Sequence, residues 1–180
     1  NRTFNDVHNV SAMLVANGFQ QTNSGTYHKV SNANMGLQLS YNFDHKYYAD
    51  FALATPWSAK LPSANRLGLS PSATLGWRLS KEKFMENSFF DDLTLSASYT
   101  DMKTDLGIDK YYMYQGTYQN GGWWDWNGSS GHAAVQAKRG GNDEFNYLHR
   151  KEFSATIHAE VLDKSLSLDA SYFLSKLTNG

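Results

Sequence analysis

The chain has 180 residues, a formal net charge of −1 and no cysteine, and aromatic residues make up 14% of it. The near-neutral charge gives no electrostatic reason to expect nucleic acid as a partner, and the lack of cysteine excludes a disulfide framework. The mean hydropathy is −0.56. The longest strictly apolar run, at 12–16, is far shorter than the ~20 residues of a membrane-spanning helix.

The first third of the chain alternates between apolar and polar residues, which is the two-residue period of a strand with one apolar face. A strand of weak contrast is predicted over 9–16 and a polar loop over 17–32. Two strands of clean alternation follow over 35–43 and 47–53. A tight turn at 44–46 joins them, and a loop is predicted from 56 to 65.

The clearest alternation begins at Leu67, because every odd position from there to Leu79 is apolar. The even positions carry only glycine, small hydroxyl residues and Arg78. This pattern predicts a strand of about a dozen residues, longer than the usual five or six. A charged connector at 81–92 is expected to form a short helical turn packed by its phenylalanines, and a strand over 93–99 repeats the alternation. Those phenylalanines are Phe84, Phe89 and Phe90.

The second half of the chain contains a long region at 101–149, rich in glycine, asparagine, tyrosine and tryptophan. Strands are predicted on both sides of it, and a tight turn at 162–164 joins the last two, at 153–161 and 166–174. Strict up-and-down alternation then places the whole region 101–149 at one end of the sheet. We therefore interpret Tyr111 to Tyr118 as loop structure and expect about seven wall strands.

The alternation is consistent with two environments. One is a barrel wall in lipid, with the apolar face toward hydrocarbon and the polar face toward a wet interior. The other is a large soluble sandwich or barrel with one wet face. In an outer-membrane barrel the short turns are periplasmic and the longer loops extracellular. That arrangement would put 44–46, 81–92 and 162–164 in the periplasm, and 17–33, 56–66 and 101–149 outside the cell.

Four blocks of the sequence also resemble, in the same order, blocks of the SusC/RagA-like TonB-dependent outer-membrane transporters. Residues 65–82 are similar to the family's NR-G-FPS-S-GW-S-E block, and 93–99 to the LKLRASYG strand that follows it. Residues 40–53 resemble the YNYKDRYLLSASLR hairpin, and 151–177 resemble a later hairpin of the family. The sequence departs from the family at 55–60 and 100–104, which are loop tips, so the ligand is less well specified than the fold.

The resemblance implies an all-β, antiparallel transmembrane barrel segment, with about seven strands of a barrel of about 22. Residues 1–180 would form a partial TonB-dependent receptor barrel domain, without the plug domain or the segment that contacts TonB. The implied function is import of oligosaccharides or peptides across the outer membrane, together with a SusD-like surface lipoprotein. Such a protein is not an enzyme. Two alternatives are a soluble carbohydrate-binding β-module and a small outer-membrane barrel with a structural or adhesive role.

One cluster within the long region has the composition of a ligand site. It contains Trp123, Trp124, Asp125, Trp126 and Asn127. Flat aromatic faces beside polar groups suit sugar rings, and equally suit a peptide or a partner protein. The alternative is that these tryptophans only pack the long loop against itself or fill the mouth of the barrel.

Other aromatic residues lie near predicted periplasmic strand ends, where an interfacial girdle is expected. They are Tyr41, Phe43, Tyr47, Tyr48 and Trp77. On the polar face, Arg78 and Asp50 either line a passage or pair with another wall residue. The six histidines show no metal-ligand spacing, and no catalytic constellation or cofactor motif is recognisable. We therefore expect no metal site and no cofactor.

Overall fold

The computed structural model describes residues 2–5, 7–22, 24–25, 30–125, 128 and 131–179. The described chain is all-β and antiparallel, as predicted. No helix within the described residues is long and apolar enough to cross a membrane. The strands are β1 (Arg2–Phe4), β2 (His8–Gln21), β3 (Val30–Phe43), β4 (Tyr47–Ser58), β5 (Ser70–Arg78), β6 (Phe90–Thr104), β7 (Thr117–Trp124), β8 (His132–Arg139), β9 (Leu148–Val161) and β10 (Leu166–Asn179).

Eight of these strands form one sheet in the order β1-β2-β3-β4-β5-β6-β9-β10, which we call the wall sheet. β1 has only three residues, so the sheet contains the seven long strands that the alternation predicted. β7 and β8 form a separate hairpin between β6 and β9. The wall sheet is open within the described residues, because β1 and β10 lie at opposite ends of its order.

The pairing register collects the predicted apolar positions on one side of the wall sheet, which we call the apolar face. Because neighbouring strands pair in register, one row of this face crosses all seven long strands. Its members, in spatial order, are Ala12, Leu39, Phe51, Ala73, Tyr99, Phe153 and Leu174.

The opposite side, which we call the polar face, is built in the same way from the alternate positions. A slip of one residue in any strand would have mixed the two faces. One row of the polar face consists of Asn9, Asn42, Tyr48, Gly76, Ser96, Thr156 and Ser171.

No second layer within the part of the chain that the structure describes covers the apolar face. Leu14 is 69% exposed and Leu75 is 65% exposed, although both lie in the middle of paired strands. The chain exposes 13052 Å², whereas a compact soluble monomer of this mass exposes roughly 8,700 Å². The wall sheet is therefore held together by its backbone ladders and not by a hydrophobic core of its own.

The two predicted tight turns are confirmed. Asp44 and His45 have φ angles of 51° and 52°, and the three residues from Leu162 to Lys164 have angles of 58°, 53° and 65°. Positive φ at successive residues gives a hairpin turn whose twist matches that of the flanking strands. We call this end of the wall sheet the short-turn end and the opposite end the long-loop end.

The polar loop predicted over 17–32 was too long. β2 continues to Gln21 and β3 begins at Val30, so five residue pairs from Asn17↔Asn34 to Gln21↔Val30 extend the ladder. Polar side chains do not prevent backbone pairing, and the loss of apolar contrast was wrongly interpreted as the end of the strand. β4 likewise continues through Pro56 to Ser58.

The strand predicted from Leu67 is shorter than expected. β5 begins at Ser70 and ends at Arg78, while Leu67 forms only an isolated bridge with Trp57. A Cβ atom on Gly68 would lie 3.0 Å from a Pro56 side-chain atom and 3.1 Å from the ring of Tyr147. Gly68 thus belongs to a closely packed loop, which alternation alone does not indicate.

The connector between β5 and β6 forms short 3-10 turns at Leu79–Lys81 and Lys83–Met85, in agreement with the predicted helical turn. The expected packing by phenylalanines was wrong. Phe84 and Phe89 are 69% and 75% exposed, and Phe89 contacts mainly the neighbouring ring of Phe90, with 4.0 Å between centroids. These rings extend the apolar surface instead of filling a core.

Candidate functional site at the long-loop end

The loops at the long-loop end fold together into a unit that has its own hydrophobic core. Leu61 comes from the β4–β5 loop, and Ile108 and Tyr147 come from the two ends of the segment between β6 and β9. All three are buried, and Met113 and Phe145 pack against them. We call residues 59–69, 105–116 and 140–147 the loop assembly and these five side chains its core.

Tyr147 ties the assembly to the end of β4. Its ring is 1% exposed, and its hydroxyl lies 2.6 Å from the carbonyl oxygen of Arg66 and 3.1 Å from that of Pro56. Burial, with a further contribution from the charge of Asp105, raises the pKa of the Tyr147 hydroxyl to about 12. The hydroxyl therefore remains protonated and can donate to these carbonyls at every physiological pH.

Three further hydrogen bonds join the two loops. The buried Ser58 hydroxyl donates to the Asp105 carboxylate at 2.5 Å, and the Lys60 ammonium donates to the carbonyl of Ile108 at 2.6 Å. Asn65 donates through its side-chain amide to the carbonyl of Phe145 at 3.1 Å. Because these contacts are distributed over the whole assembly, the loops form a defined platform at the long-loop end of the wall sheet.

The hairpin of β7 and β8, which we call the tryptophan hairpin, extends from this platform. Arg139 anchors its base, donating to the carbonyl of Gln115 at 3.1 Å. A two-stranded hairpin is only marginally stable by itself, so this anchor and the platform define its position. The sequence predicted loop structure here, and the structure adds a paired hairpin within that loop.

The predicted ligand cluster lies at the tip of this hairpin. Trp123 is 74% exposed and Trp124 is 62% exposed, and since consecutive strand residues point to opposite sides, the two rings do not form one flat platform. Trp123 covers the backbone of Gly131, where a Cβ atom would lie 3.0 Å from the indole. The Asp125 carboxylate accepts a hydrogen bond from the Gly128 amide at 3.0 Å, so this side chain also shapes the turn.

Trp126 and Asn127 lie outside the described residues. The core of the loop assembly contains Leu61, Ile108 and Tyr147 and neither described tryptophan, although Trp123 packs over Gly131 within the hairpin. The ligand role of the cluster and its alternative, loop packing, therefore both stay predictions. Sequence reasoning missed the core of the loop assembly. Its members are far apart in the chain and follow no period, so only the three-dimensional fold brings them together.

On the polar face, Arg78 pairs with another wall residue, which was one of the two expected roles. Its guanidinium donates twice to the Asp92 carboxylate, at 2.9 and 2.6 Å, and the Ser80 hydroxyl donates to the same carboxylate at 2.7 Å. Asp50 lies elsewhere on this face and lines a shallow depression of about 420 Å³ with Asn42. The polar face thus carries charged and amide groups in several strands, together with a few apolar side chains such as Met13 and Val15.

At the short-turn end, an aromatic row runs along the apolar face. Phe43, Tyr47 and Trp77 stack in sequence, with centroid distances of 6.2 and 6.4 Å. Tyr41 lies on the same face in the next row. Tyr48 was wrongly included in the expected girdle, because it pairs with Gly76 on the polar face and donates to the His45 carbonyl at 3.0 Å.

The Glu82 carboxylate, in the connector between β5 and β6, accepts hydrogen bonds from two residues of the aromatic row. The Tyr47 hydroxyl donates to Glu82 at 2.6 Å, and the Trp77 indole N–H donates to the same oxygen at 3.1 Å. The hydrogen bond from Tyr47, with that from Trp77, lowers the pKa of the Glu82 carboxyl. We call these three side chains the Glu82 clamp.

The described residues contain no group of three histidine, aspartate or glutamate side chains placed to hold a metal ion. The arrangement that is present consists of exposed aromatic rings, amides and ion pairs, some of them linked through shared residues such as His158 and Glu160. Groups of this kind are suited to binding and positioning other molecules.

No family model matches the sequence, and neither does any curated protein sequence. Solved structures do match. Two structures of the RagAB peptide importer, in the 'closed-closed' and 'open-open' states, and a third of the RagAB peptide transporter superpose with TM-scores of 0.75, 0.76 and 0.75. Sequence identity is 14–15%, and the match covers 97–98% of this chain.

The chain spans 22% of the length of the RagAB chains that it matches. The likeness confirms the fold predicted from the sequence, an all-β antiparallel sheet that superposes on part of the RagAB chains. At the level of the fold it also confirms the predicted resemblance to the SusC/RagA-like transporters.

Proposed function

We propose that this chain is part of the barrel wall of a TonB-dependent outer-membrane importer. The observation that carries the proposal is the apolar face, which crosses seven strands in register and whose large side chains, such as Leu14 and Leu75, are mostly exposed in the described residues. In water such a surface would drive aggregation, whereas in a bilayer it faces hydrocarbon while the polar face lines a wet interior. The open edge at β10 is then paired by the remainder of the same barrel, since unpaired backbone is not tolerated in lipid.

Neither alternative accounts for this architecture as well. A soluble carbohydrate-binding module would bury the apolar face, yet Leu14 and Leu75 are mostly exposed. A small closed barrel would pair its first and last strands, whereas β1 and β10 lie at opposite ends of the sheet order. Part of a larger barrel satisfies both observations.

The location of the loops supports an orientation in the membrane. Outer-membrane barrels have short turns in the periplasm and long loops outside, so the turns at 44–46 and 162–164 are periplasmic. The loop assembly and the tryptophan hairpin are then extracellular, beside the mouth of the barrel. From there they meet substrate before it enters.

The substrate class that we propose is peptides or oligosaccharides, and the partner is a SusD-like surface lipoprotein that covers the extracellular side. Of the two, peptides are favoured because RagAB, on whose structures this chain superposes, is a peptide importer. Energy reaches the barrel through TonB, by way of a plug domain that we do not assign to residues 1–180. No bond is made or broken.

Within this importer, the tip of the tryptophan hairpin contacts the cargo or the lipoprotein. Trp123 and Trp124 offer aromatic surface on both sides of the strand, and Asp125, Trp126 and Asn127 add hydrogen-bonding groups and a third indole. Tryptophans are the side chains most often found at the energetic centre of an interface. Because the rings point to opposite sides of the hairpin, we propose that they contact separate parts of the cargo or the lipoprotein instead of stacking together on one flat ring.

The test uses the full-length polypeptide that contains this chain, expressed in a bacterium with an outer membrane. We expect it to fractionate with that membrane, to require detergent, and to retain peptide or oligosaccharide that mass spectrometry detects. The double variant Trp123→Ala/Trp124→Ala should retain at least tenfold less ligand, as expected when interface anchors are truncated. The matched control Tyr118→Ala, an exposed aromatic of the same hairpin, should retain the wild-type amount.

A protein that purifies without detergent as a monodisperse monomer would contradict the membrane assignment. A membrane protein whose ligand retention is the same in the double variant and in the control would contradict only the role of the tryptophan hairpin.

A further inference from the structure

The apolar face contains a depression near the short-turn end that the importer function does not explain. Ala49 lies there between the larger side chains of Tyr41 and Leu75, which pair with it on either side. Tyr47 and Trp77 close the depression toward the connector, and its volume is about 490 Å³. A bilayer-facing surface with such a hollow offers an acyl chain more contact than a smooth wall does.

The Glu82 clamp lies directly at the closed end of this depression. Tyr47 and Trp77 both line the hollow and both donate to the Glu82 carboxylate, at 2.6 and 3.1 Å. The same two rings therefore connect an apolar groove to a fixed negative charge. The hydrogen bonds from the two rings keep the carboxyl ionised.

The charges around the clamp have both signs. Glu82 is flanked in the connector by Lys81 and Lys83, and the nearby Lys46 ammonium lies 3.2 Å from the Asp44 carboxylate. A purely anionic headgroup would meet the lysines but would also meet Glu82. A zwitterionic headgroup that ends in a primary amine satisfies both, because its ammonium can donate to Glu82 while its phosphate lies near the lysines.

We propose that the depression and the Glu82 clamp bind one phospholipid with an aminoethyl phosphate headgroup. One acyl chain lies in the hollow at Ala49, the ammonium group pairs with Glu82, and the phosphate is held by Lys81 and Lys83. This inference rests on the proposed membrane location and places the lipid in the periplasmic leaflet. The aromatic row then does more than mark the interface, because it forms one side of a specific lipid site.

The experiment is native mass spectrometry of the full-length protein in detergent, titrated with phosphatidylethanolamine or with phosphatidylglycerol of the same acyl chains. We expect the wild type to retain one phosphatidylethanolamine at least fivefold more tightly than phosphatidylglycerol. Glu82→Gln should remove this preference, because the amide no longer attracts the ammonium and the lysines then favour the anionic lipid. Glu86→Gln, in the same connector and exposed, is the matched control and should keep the preference.

A second variant tests the hollow separately. Ala49→Leu fills the depression on the apolar face, where it disturbs no packed interior, and should lower the retention of both lipids about equally. Ala73→Leu lies on the same face outside the depression and should retain both as the wild type does.

Three outcomes are distinguishable. Equal retention of the two lipids by the wild type, or an undiminished preference in Glu82→Gln, overturns the lipid site while leaving the membrane assignment intact. A protein that is soluble without detergent and retains no lipid overturns the proposed function itself. A headgroup preference that Glu82→Gln removes and Glu86→Gln keeps supports the site.

Discussion

In the wall sheet Leu14 is 69% exposed, whereas in the loop assembly Leu61 is fully buried. Leucine side chains thus have two opposite environments within one chain, exposed in the wall sheet and buried in the loop assembly. The wall sheet presents its leucines outward and depends on backbone ladders and on its surroundings. The loop assembly packs its leucine against Ile108 and Tyr147 as a small soluble domain would. In the proposed membrane location, the comparison teaches that the two regions are built for two solvents, hydrocarbon beside the sheet and water above it.

The largest expected effect is in the loop core. Leu61→Ala should destabilise the loop assembly by roughly 2–5 kcal/mol, because the cavity adds to the lost transfer energy. The measurement is protease nicking within the loops of the full-length protein, which should become much faster. The control Leu106→Ala, from the same region but 87% exposed, should change nicking little.

If the comparison is right, Leu61→Ala leaves the wall sheet unaffected. The heat-dependent shift of the full-length Leu61→Ala variant in SDS gels should match that of the wild type. A simultaneous loss of the barrel band would show that the two regions are one cooperative unit.

The next effect is on the apolar face. Leu39→Arg places a guanidinium toward hydrocarbon and should cost about 2–4 kcal/mol near the middle of the bilayer. Its neighbour Gln38 lies on the polar face, so Gln38→Arg should cost far less. Urea unfolding of the refolded full-length protein in lipid vesicles measures both, and equal costs for the two variants would rule out a lipid-facing side.

A smaller effect is expected from Tyr147→Phe. It removes the hydroxyl that donates to the carbonyls of Arg66 and Pro56. Each carbonyl keeps a backbone donor, the amide of Ser58 or of Gly68, so the loss costs roughly 0.5–1.5 kcal/mol. Nicking of the loops should accelerate accordingly, while Tyr118→Phe, on the exposed hairpin, should have no effect. An unchanged rate in Tyr147→Phe would mean that the hydroxyl does not hold the assembly to β4.

The smallest effect is a dependence on alkaline pH. The pKa of Tyr147 is about 12 in the folded chain, above its ordinary value of 10.0, so the folded state holds the proton more tightly than the unfolded state. Its contribution to stability is therefore complete below pH 10 and is lost as the pH rises through 12. Nicking by an alkaline protease should accelerate across that interval in the wild type, and the acceleration should be smaller in Tyr147→Phe.

The fold of the wall sheet could be predicted because a strand's side chains alternate whether or not the rest of the barrel is present. The alternation placed Leu39 and Phe51 on one face and Gln38 on the other, as the register shows. It failed where a strand loses its apolar contrast, as between Asn17 and Gln21, because backbone pairing does not need that contrast.

The loop assembly could not be predicted in the same way. Leu61 and Tyr147 meet only because the β4–β5 loop and the segment after β6 fold onto each other, and no local period records such a contact. Tyr48 was assigned to the girdle from its proximity to the turn, although its even position indicates the polar face. The candidate tryptophans were identifiable by composition alone, and their opposite orientations became apparent only once β7 and β8 were seen to pair.

The most direct test of the central claim is a scan of single cysteines along β3, in a chain that has no cysteine of its own. Nitroxide labels would be attached after Leu37→Cys, Gln38→Cys, Leu39→Cys and Ser40→Cys in the full-length protein reconstituted in vesicles. We predict that the labels at 37 and 39 collide mainly with oxygen dissolved in lipid, and those at 38 and 40 mainly with a water-soluble nickel complex. Collision rates with no two-residue alternation would contradict a wall between hydrocarbon and water.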